Sequence, residues 1–219
     1  MPHPPFCEQD LLFFGATTAS VSHELKNVIT IINESAGLLH DFASAAERGR
    51  PLDPQRVKKT SLDISRNVER AVEIINRLNR FAHSADEPVR AVNLNGMVRD
   101  VVALASRFAG LRGRQIDAVV PGSVVTVSAY AFGLHQVIFR ALSLAAEASP
   151  TDDPIRLDME PTSGGAILRI SSVPVDLPEQ AQARWGELVA SARELGVNVV
   201  QSGEGRDGAI ELVVPSAAP

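Results

Sequence analysis

The chain has 219 residues, of which 45% are apolar, a formal net charge of −5 and a single cysteine. That apolar share supports a real core, excludes global disorder and leaves room for one large or two small domains. The acidic balance and the lack of a long basic run leave nucleic acid without electrostatic support as a partner, and the lone Cys7 excludes an internal disulfide and fits a reducing, cytoplasmic setting.

Residues 1–9 read as a flexible tail, because Pro2, Pro4 and Pro5 oppose regular structure. The apolar run Leu11 to Phe14 is too short to span a bilayer, no basic n-region precedes it, and no other stretch qualifies, so no membrane partner is expected. A first helix is predicted from about Asp10 to Arg48. Within it Val21, Leu25, Val28, Ile29, Ile32, Ala36 and Leu39 recur at three- and four-residue steps, which is one apolar stripe. His23 and Asn27 are four apart and share a face beside that stripe, with Glu24 next in sequence and Lys26 close by. An imidazole flanked by a carboxylate and an amide is a site where chemistry can occur; taken alone, it reads first as a solvated histidine on an amphipathic helix.

The breakers Gly49, Pro51 and Pro54 end that helix. A second helix follows from about Gln55 to Ser84, with Val57, Leu62, Ile64, Val68, Ala71, Ile75, Leu78 and Ala82 as its apolar positions. Two long amphipathic helices with a short connector predict an antiparallel hairpin over 10–84. One hairpin cannot cover both stripes along its length, so a homodimer forming a four-helix bundle is expected; the alternative is packing of the hairpin on the rest of the same chain.

Residues 85–92 read as a linker around Pro88, and 93–219 as a second domain. Its order is a helix over 93–110 that Asn93 or Asn95 can cap, strands over 114–121 and 123–129 separated by Pro-Gly, and an apolar helix over 130–148. Strands over 155–161 and 166–174, a helix over 178–196 and a closing hairpin of 197–202 with 209–215 complete it. The predicted fold class is therefore α+β, a helical hairpin followed by an α/β sandwich with one sheet face covered. The five histidines and one cysteine show no metal-ligand spacing, and Asp152 and Asp153 read as a turn, so no metal site is expected. His135 reads as a packed histidine on the apolar helix; His40 and His83 read as solvated.

The six residues SHELKN resemble the H-box of two-component sensor histidine kinases, in which a histidine is followed by an acidic, an apolar and a basic residue and then Asn or Thr. His23, Glu24, Leu25, Lys26 and Asn27 match that pattern; Val28 stands where the family usually has proline, which removes a kink but not the nucleophile. Many relatives of this motif are membrane receptors, whereas here the hairpin is expected to have no sensor domain ahead of it. The order of elements after residue 92 resembles the ATP-binding catalytic domain of the same kinases and of the gyrase and heat-shock ATPase superfamily. Its functional positions do not follow the pattern. Arg140 and Leu144 stand where the N-box asparagines fall, and an aliphatic chain offers Mg²⁺ no oxygen. The stretch 171–179 lacks the Asp-x-Gly-x-Gly that reads adenine, with Pro174 stiffening it and Asp176 on the wrong side of the turn, and the glycine-rich lid is missing.

The resemblance thus implies a phosphorelay phosphoprotein that moves phosphate without ATP. Specifically, it implies a histidine phosphotransferase in which His23 exchanges phosphate with receiver-domain aspartates. No cofactor is expected in this chain; Mg²⁺ belongs to the receiver partner. In this reading Glu24 hydrogen-bonds the second ring nitrogen and sets the tautomer. Asn27 contacts phosphoryl oxygens or positions water for phosphatase activity, and Lys26 offsets phosphate charge or is merely solvated. The partners implied are response-regulator receivers, a hybrid histidine kinase and a second copy of the chain. Two alternatives stay open: a sensorless but active ATP-dependent histidine kinase, and a non-catalytic regulator that binds and blocks a kinase or response regulator.

Overall fold

The computed structural model describes residues 8–86, 89–149, 154–203 and 208–217. The described chain divides into two compact units, the first ending at Ala82 and the second beginning at His83. Most of the expected tail, part of the expected linker, Asp152, Asp153 and the tip of the closing hairpin at 204–207 lie outside the described residues.

The first unit is a pair of helices, α1 (Glu8–Glu47) and α2 (Pro54–Ala82). Asp53 opens α2 by accepting from the Gln55 backbone N–H at 2.9 Å, an N-terminal cap. The contacts fix an antiparallel arrangement. Phe13 and Phe14 near the start of α1 pack on Phe81 near the end of α2, while the Arg56 guanidinium near the start of α2 lies 4.6 Å from the Phe42 ring near the end of α1. The contact line is built from Val21, Val28 and Ile74, all buried, with Leu25, Ile32, Ala71 and Leu78 packed against them.

That line uses only part of the apolar surface. Val28 faces α2, and each residue turns the helix by about 100°. Ile29, one step on, therefore falls on one flank of the hairpin, and Asn27, one step back, on the other. In an antiparallel pair a step forward from the contact line turns both helices toward the same side. Ile75, one step beyond the buried Ile74, thus joins Val68 and Val72 on the flank of Ile29. These four side chains are 43%, 46%, 51% and 46% exposed respectively, an apolar strip with no cover inside the hairpin. Of the apolar stripe on α1, Ile29 and Ala36 are exposed, since α2 covers only its Val21–Val28–Ile32 side.

The second unit is α+β, with a mixed five-stranded sheet of order β2-β4-β5-β7-β6 and a separate two-stranded sheet of β1 and β3. The elements are β1 (Arg90–Asn93), α3 (Leu94–Gly110), β2 (Ile116–Val119), β3 (Thr126–Ala129), α4 (Ala131–Ala148), β4 (Ile155–Thr162), β5 (Gly165–Ser171), α5 (Glu179–Glu194), β6 (Asn198–Ser202) and β7 (Ala209–Pro215). Their core takes Val98 and Val101 from α3, Leu134, Ile138 and Leu142 from α4, Leu188 from α5, and Leu157, Leu168, Ile170 and Leu212 from the sheet. The other sheet face, set by the period-2 alternation of side chains, is mixed, with Val119, Val200 and Val213 exposed among charged residues. Asp158, Arg169 and Glu211 stand directly opposite one another across β4, β5 and β7, a row of alternating charge.

Two readings of the sequence change here. Residues 90–92, read as linker, form β1 together with Asn93, and its partner β3 lies far along the chain. The strands around Pro121-Gly122 are not neighbours: β2 pairs β4 in parallel and β3 pairs β1. Asn95 bonds the stretch between them. Its amide nitrogen donates to the carbonyls of Pro121 and Ser123, both at 2.9 Å, and its oxygen accepts from the Val125 N–H at 2.7 Å. That buried side chain ties the segment between the two strands to the first turn of α3. Asn93, not Asn95, caps α3, accepting from the Gly96 N–H at 3.0 Å.

Candidate functional site

The candidate site lies on α1, about four turns in from its first described residue, on the flank away from the apolar strip. His23, Lys26 and Asn27 are exposed, and Glu24 is half-buried. The i, i+4 spacing does what it should: Asn27 Nδ2 lies 3.3 Å from His23 Nδ1. An amide has the same outline with either end forward. With nitrogen forward it donates to Nδ1 and the ring proton sits on Nε2. With oxygen forward it accepts from Nδ1–H and Nε2 keeps its lone pair. One bond therefore couples the orientation of Asn27 to the ring nitrogen that can attack. Lys26 shares its turn, where its carbonyl accepts from the Thr30 hydroxyl at 2.9 Å.

Glu24 points elsewhere. Its Oε1 accepts from Arg70 Nη2 at 3.2 Å and its Oε2 lies 3.8 Å from Arg77 Nη1, both on α2. The expectation that Glu24 holds the second ring nitrogen of His23 meets a geometric obstacle. Adjacent residues on a helix diverge by about 100°, so Glu24 leans to α2 while His23 faces outward. The ring partner in this structure is Asn27. Arg70 and Arg77 are site neighbours that sequence reading missed, although a signal existed: Glu24 and Arg77 lie equally far from the loop joining the helices, so an antiparallel hairpin sets them level.

In the second unit, the positions compared with a nucleotide site are distributed as follows. Leu144 is buried in the core of α4, and Arg140 is half-buried one turn earlier. The link from β5 to α5 runs through Ser172, in the left-handed region at φ 69°, and buries Val173 and Leu177. The Val173 N–H donates to the Gly208 carbonyl at 3.1 Å, and a Cβ on Gly208 would come within 2.4 Å of the Val173 carbonyl oxygen. Asp176 is exposed on this link, and Pro174 lies within it. His135 is buried with its Nδ1 2.9 Å from the Ala131 carbonyl, which fixes Nδ1 as the donor. His40 is exposed, and His83 is exposed with Nδ1 2.6 Å from Asp86. Among the described residues no group of three or more His, Cys, Asp or Glu could hold a metal ion, and no helix is long and apolar enough to cross a membrane.

No protein-family model matches the chain, and no curated protein matches it. Among solved structures it is similar to histidine kinase catalytic and ATP-binding domains. One is the catalytic domain of histidine kinase ThkA in a nucleotide-free form, at TM-score 0.49 and 15% identity over 61% of this chain and 100% of that one. Another is the Acinetobacter baumannii histidine kinase AdeS, at TM-score 0.46 and 15% identity over 89% of this chain and 98% of that one. A third is ThkA in complex with the response regulator TrrA, at TM-score 0.49 and 17% identity over 95% of this chain and 63% of that one. At such identities the likeness is one of chain course. The roles below are assigned from this chain's own side chains.

Proposed function

We propose that this protein is a histidine phosphotransferase of two-component signalling, passing phosphate between receiver-domain aspartates through His23 without using ATP. The observation that carries the proposal is the pairing of an exposed His23 with Asn27, four residues on, within an H-box sequence. With the amide oxygen accepting from Nδ1–H, the Nε2 lone pair attacks the phosphorus of an aspartyl phosphate. The N–P bond forms, the bond from phosphorus to the carboxylate oxygen breaks, and the carboxylate leaves with its electron pair. The ring takes on positive charge, which the Asn27 amide oxygen, accepting from Nδ1–H, helps to offset. Receiver domains bring their own Mg²⁺, so this chain supplies a nucleophile, its orientation and a docking face.

Two further features support the reading. The apolar strip of Ile29, Val68, Val72 and Ile75 suits a second copy, two hairpins making a four-helix bundle with the His23 flank facing outward. Leu144 and the link over 172–178 support a reading without nucleotide: the side chain of the first offers magnesium no oxygen, and the second carries the buried apolar Val173 and Leu177 instead of glycines. The second unit then serves docking and support rather than ATP chemistry, and a hybrid kinase is the upstream source of phosphate.

The test is incubation with labelled ATP alone, then with a receiver domain already charged with labelled phosphate. The expected result is no label in the first case and acid-labile label on His23 in the second. Label from ATP alone would overturn the proposal in favour of an active kinase. Undiminished partner inhibition by a His23→Ala variant, with no label in either case, would overturn it in favour of a blocking regulator.

A further inference from the structure

We propose that Arg70, on the opposite helix, is the residue that holds the phosphoryl group on His23, giving up Glu24 to do so. This rests on the phosphotransfer reading of His23.

The Glu24 carboxylate is shared by two guanidiniums, Arg70 at 3.2 Å and Arg77 at 3.8 Å. One negative charge facing two positive ones leaves an excess of positive charge beside the histidine. The two arginines are not equivalent: the Arg70 side chain is 59% exposed and that of Arg77 only 18%. Arg77 can therefore stay on Glu24 and keep that half-buried carboxylate neutralised while Arg70 departs. An exposed ion pair is worth little, so its exchange for a stronger partner meets no large obstacle. A phosphoryl group is that partner, because its oxygens carry more charge and match the guanidinium fork.

The location fits. Arg70 and Arg77 lie four residues before and three after the buried Ile74, which turns both toward one flank of α2. Glu24, four before the buried Val28, turns toward the same flank, as their bond requires. His23 and Asn27 face that side of α1. Nearby arginines are engaged on their own helix, Arg66 with Asp63 at 3.3 Å and Arg80 with Glu73 at 3.1 Å. Arg70 instead spans the hairpin to the H-box.

As Nε2 bonds to phosphorus and the receiver's carboxylate leaves, the three phosphoryl oxygens lose the receiver's Mg²⁺. Arg70 replaces part of that charge on the His23 side. The phosphate is thereby stabilised on the histidine, and the balance of flow shifts toward this chain.

The experiment uses the full chain and a receiver domain charged with radiolabelled acetyl phosphate, and reads the rate at which label enters His23. Arg70→Ala is expected to slow that rate about tenfold, the effect of one charge-assisted contact in the transition state. The same substitution is then made beside Glu24→Gln. An arginine acting on the phosphoryl group slows that variant again by about tenfold. An arginine that merely braces Glu24 has no further effect there, and that result overturns the proposal, as does an unchanged rate for Arg70→Ala alone. Arg70→Gln, closer in length, replaces Arg70→Ala should the latter melt early. Absence of label on the wild-type protein would instead overturn the reading of His23 beneath it.

Discussion

Glu24 on the first helix and Arg70 on the second are bonded at 3.2 Å across the hairpin, although 46 residues separate them in sequence. The bond takes the H-box carboxylate away from the histidine beside it and leaves the ring to Asn27. Much of the site's expected behaviour follows from that division of labour.

His23 is exposed, so His23→Ala should leave the melting temperature within a degree or two of wild type, about 0.5 kcal/mol or less. The same variant should take no acid-labile label from a charged receiver. Thermal melting followed by circular dichroism and a labelling assay check the two halves separately.

Asn27 acts through the ring proton. Asn27→Ala removes the partner of Nδ1 and should slow transfer about tenfold, a cost near 1.4 kcal/mol. Asn27→Asp offers only an acceptor, so it admits only the tautomer with the proton on Nδ1. It should transfer faster than Asn27→Ala. Rapid-quench measurement of label entering His23 ranks the three.

The strip of Val68, Val72 and Ile75 separates assembly from folding. Val72→Glu puts a charge on a surface that is already half in water, so the hairpin should stay folded while a dimer through that strip becomes monomeric. Ile74→Ala, by contrast, empties a buried site and should cost about 2–5 kcal/mol. Size-exclusion chromatography with light scattering reads the first, and chemical denaturation the second.

Leu144 tests the nucleotide question. The side chain is 2% exposed in the core of the second unit. Leu144→Asn buries an amide without a partner and should destabilise by about 1–3 kcal/mol. ATP with Mg²⁺ should raise the melting temperature of neither this variant nor the wild type. Differential scanning fluorimetry with and without nucleotide gives the result.

Sequence reading was most informative where physical causes are local. The helices α1 and α2 stand out because apolar residues recur at helical spacing for many turns, and the breakers at 49–54 lie between them. The His23–Asn27 bond follows from a four-residue step within one helix. What stayed hidden depends on distant partners. Strand β1 is short and charged, and exists because β3 lies beside it. The segment between β2 and β3 is held by the Asn95 side chain, which as a sequence letter reads equally well as a helix cap. Glu24 looked committed to its neighbour in sequence; its arginine partners became evident only once the two helices were set in register.

Asn95 is followed by Gly96, the dipeptide most prone to lose its side-chain ammonia as proteins age. Folding shields it, since both amide hydrogens are engaged by carbonyls and the oxygen by a backbone N–H. Conversion to aspartate would set a carboxylate oxygen against two carbonyl oxygens, with nothing to donate between them. A single chemical ageing event in an unfolded or half-folded molecule would thus leave the 121–125 segment without its tie to α3, giving this chain a shelf life written into one side chain.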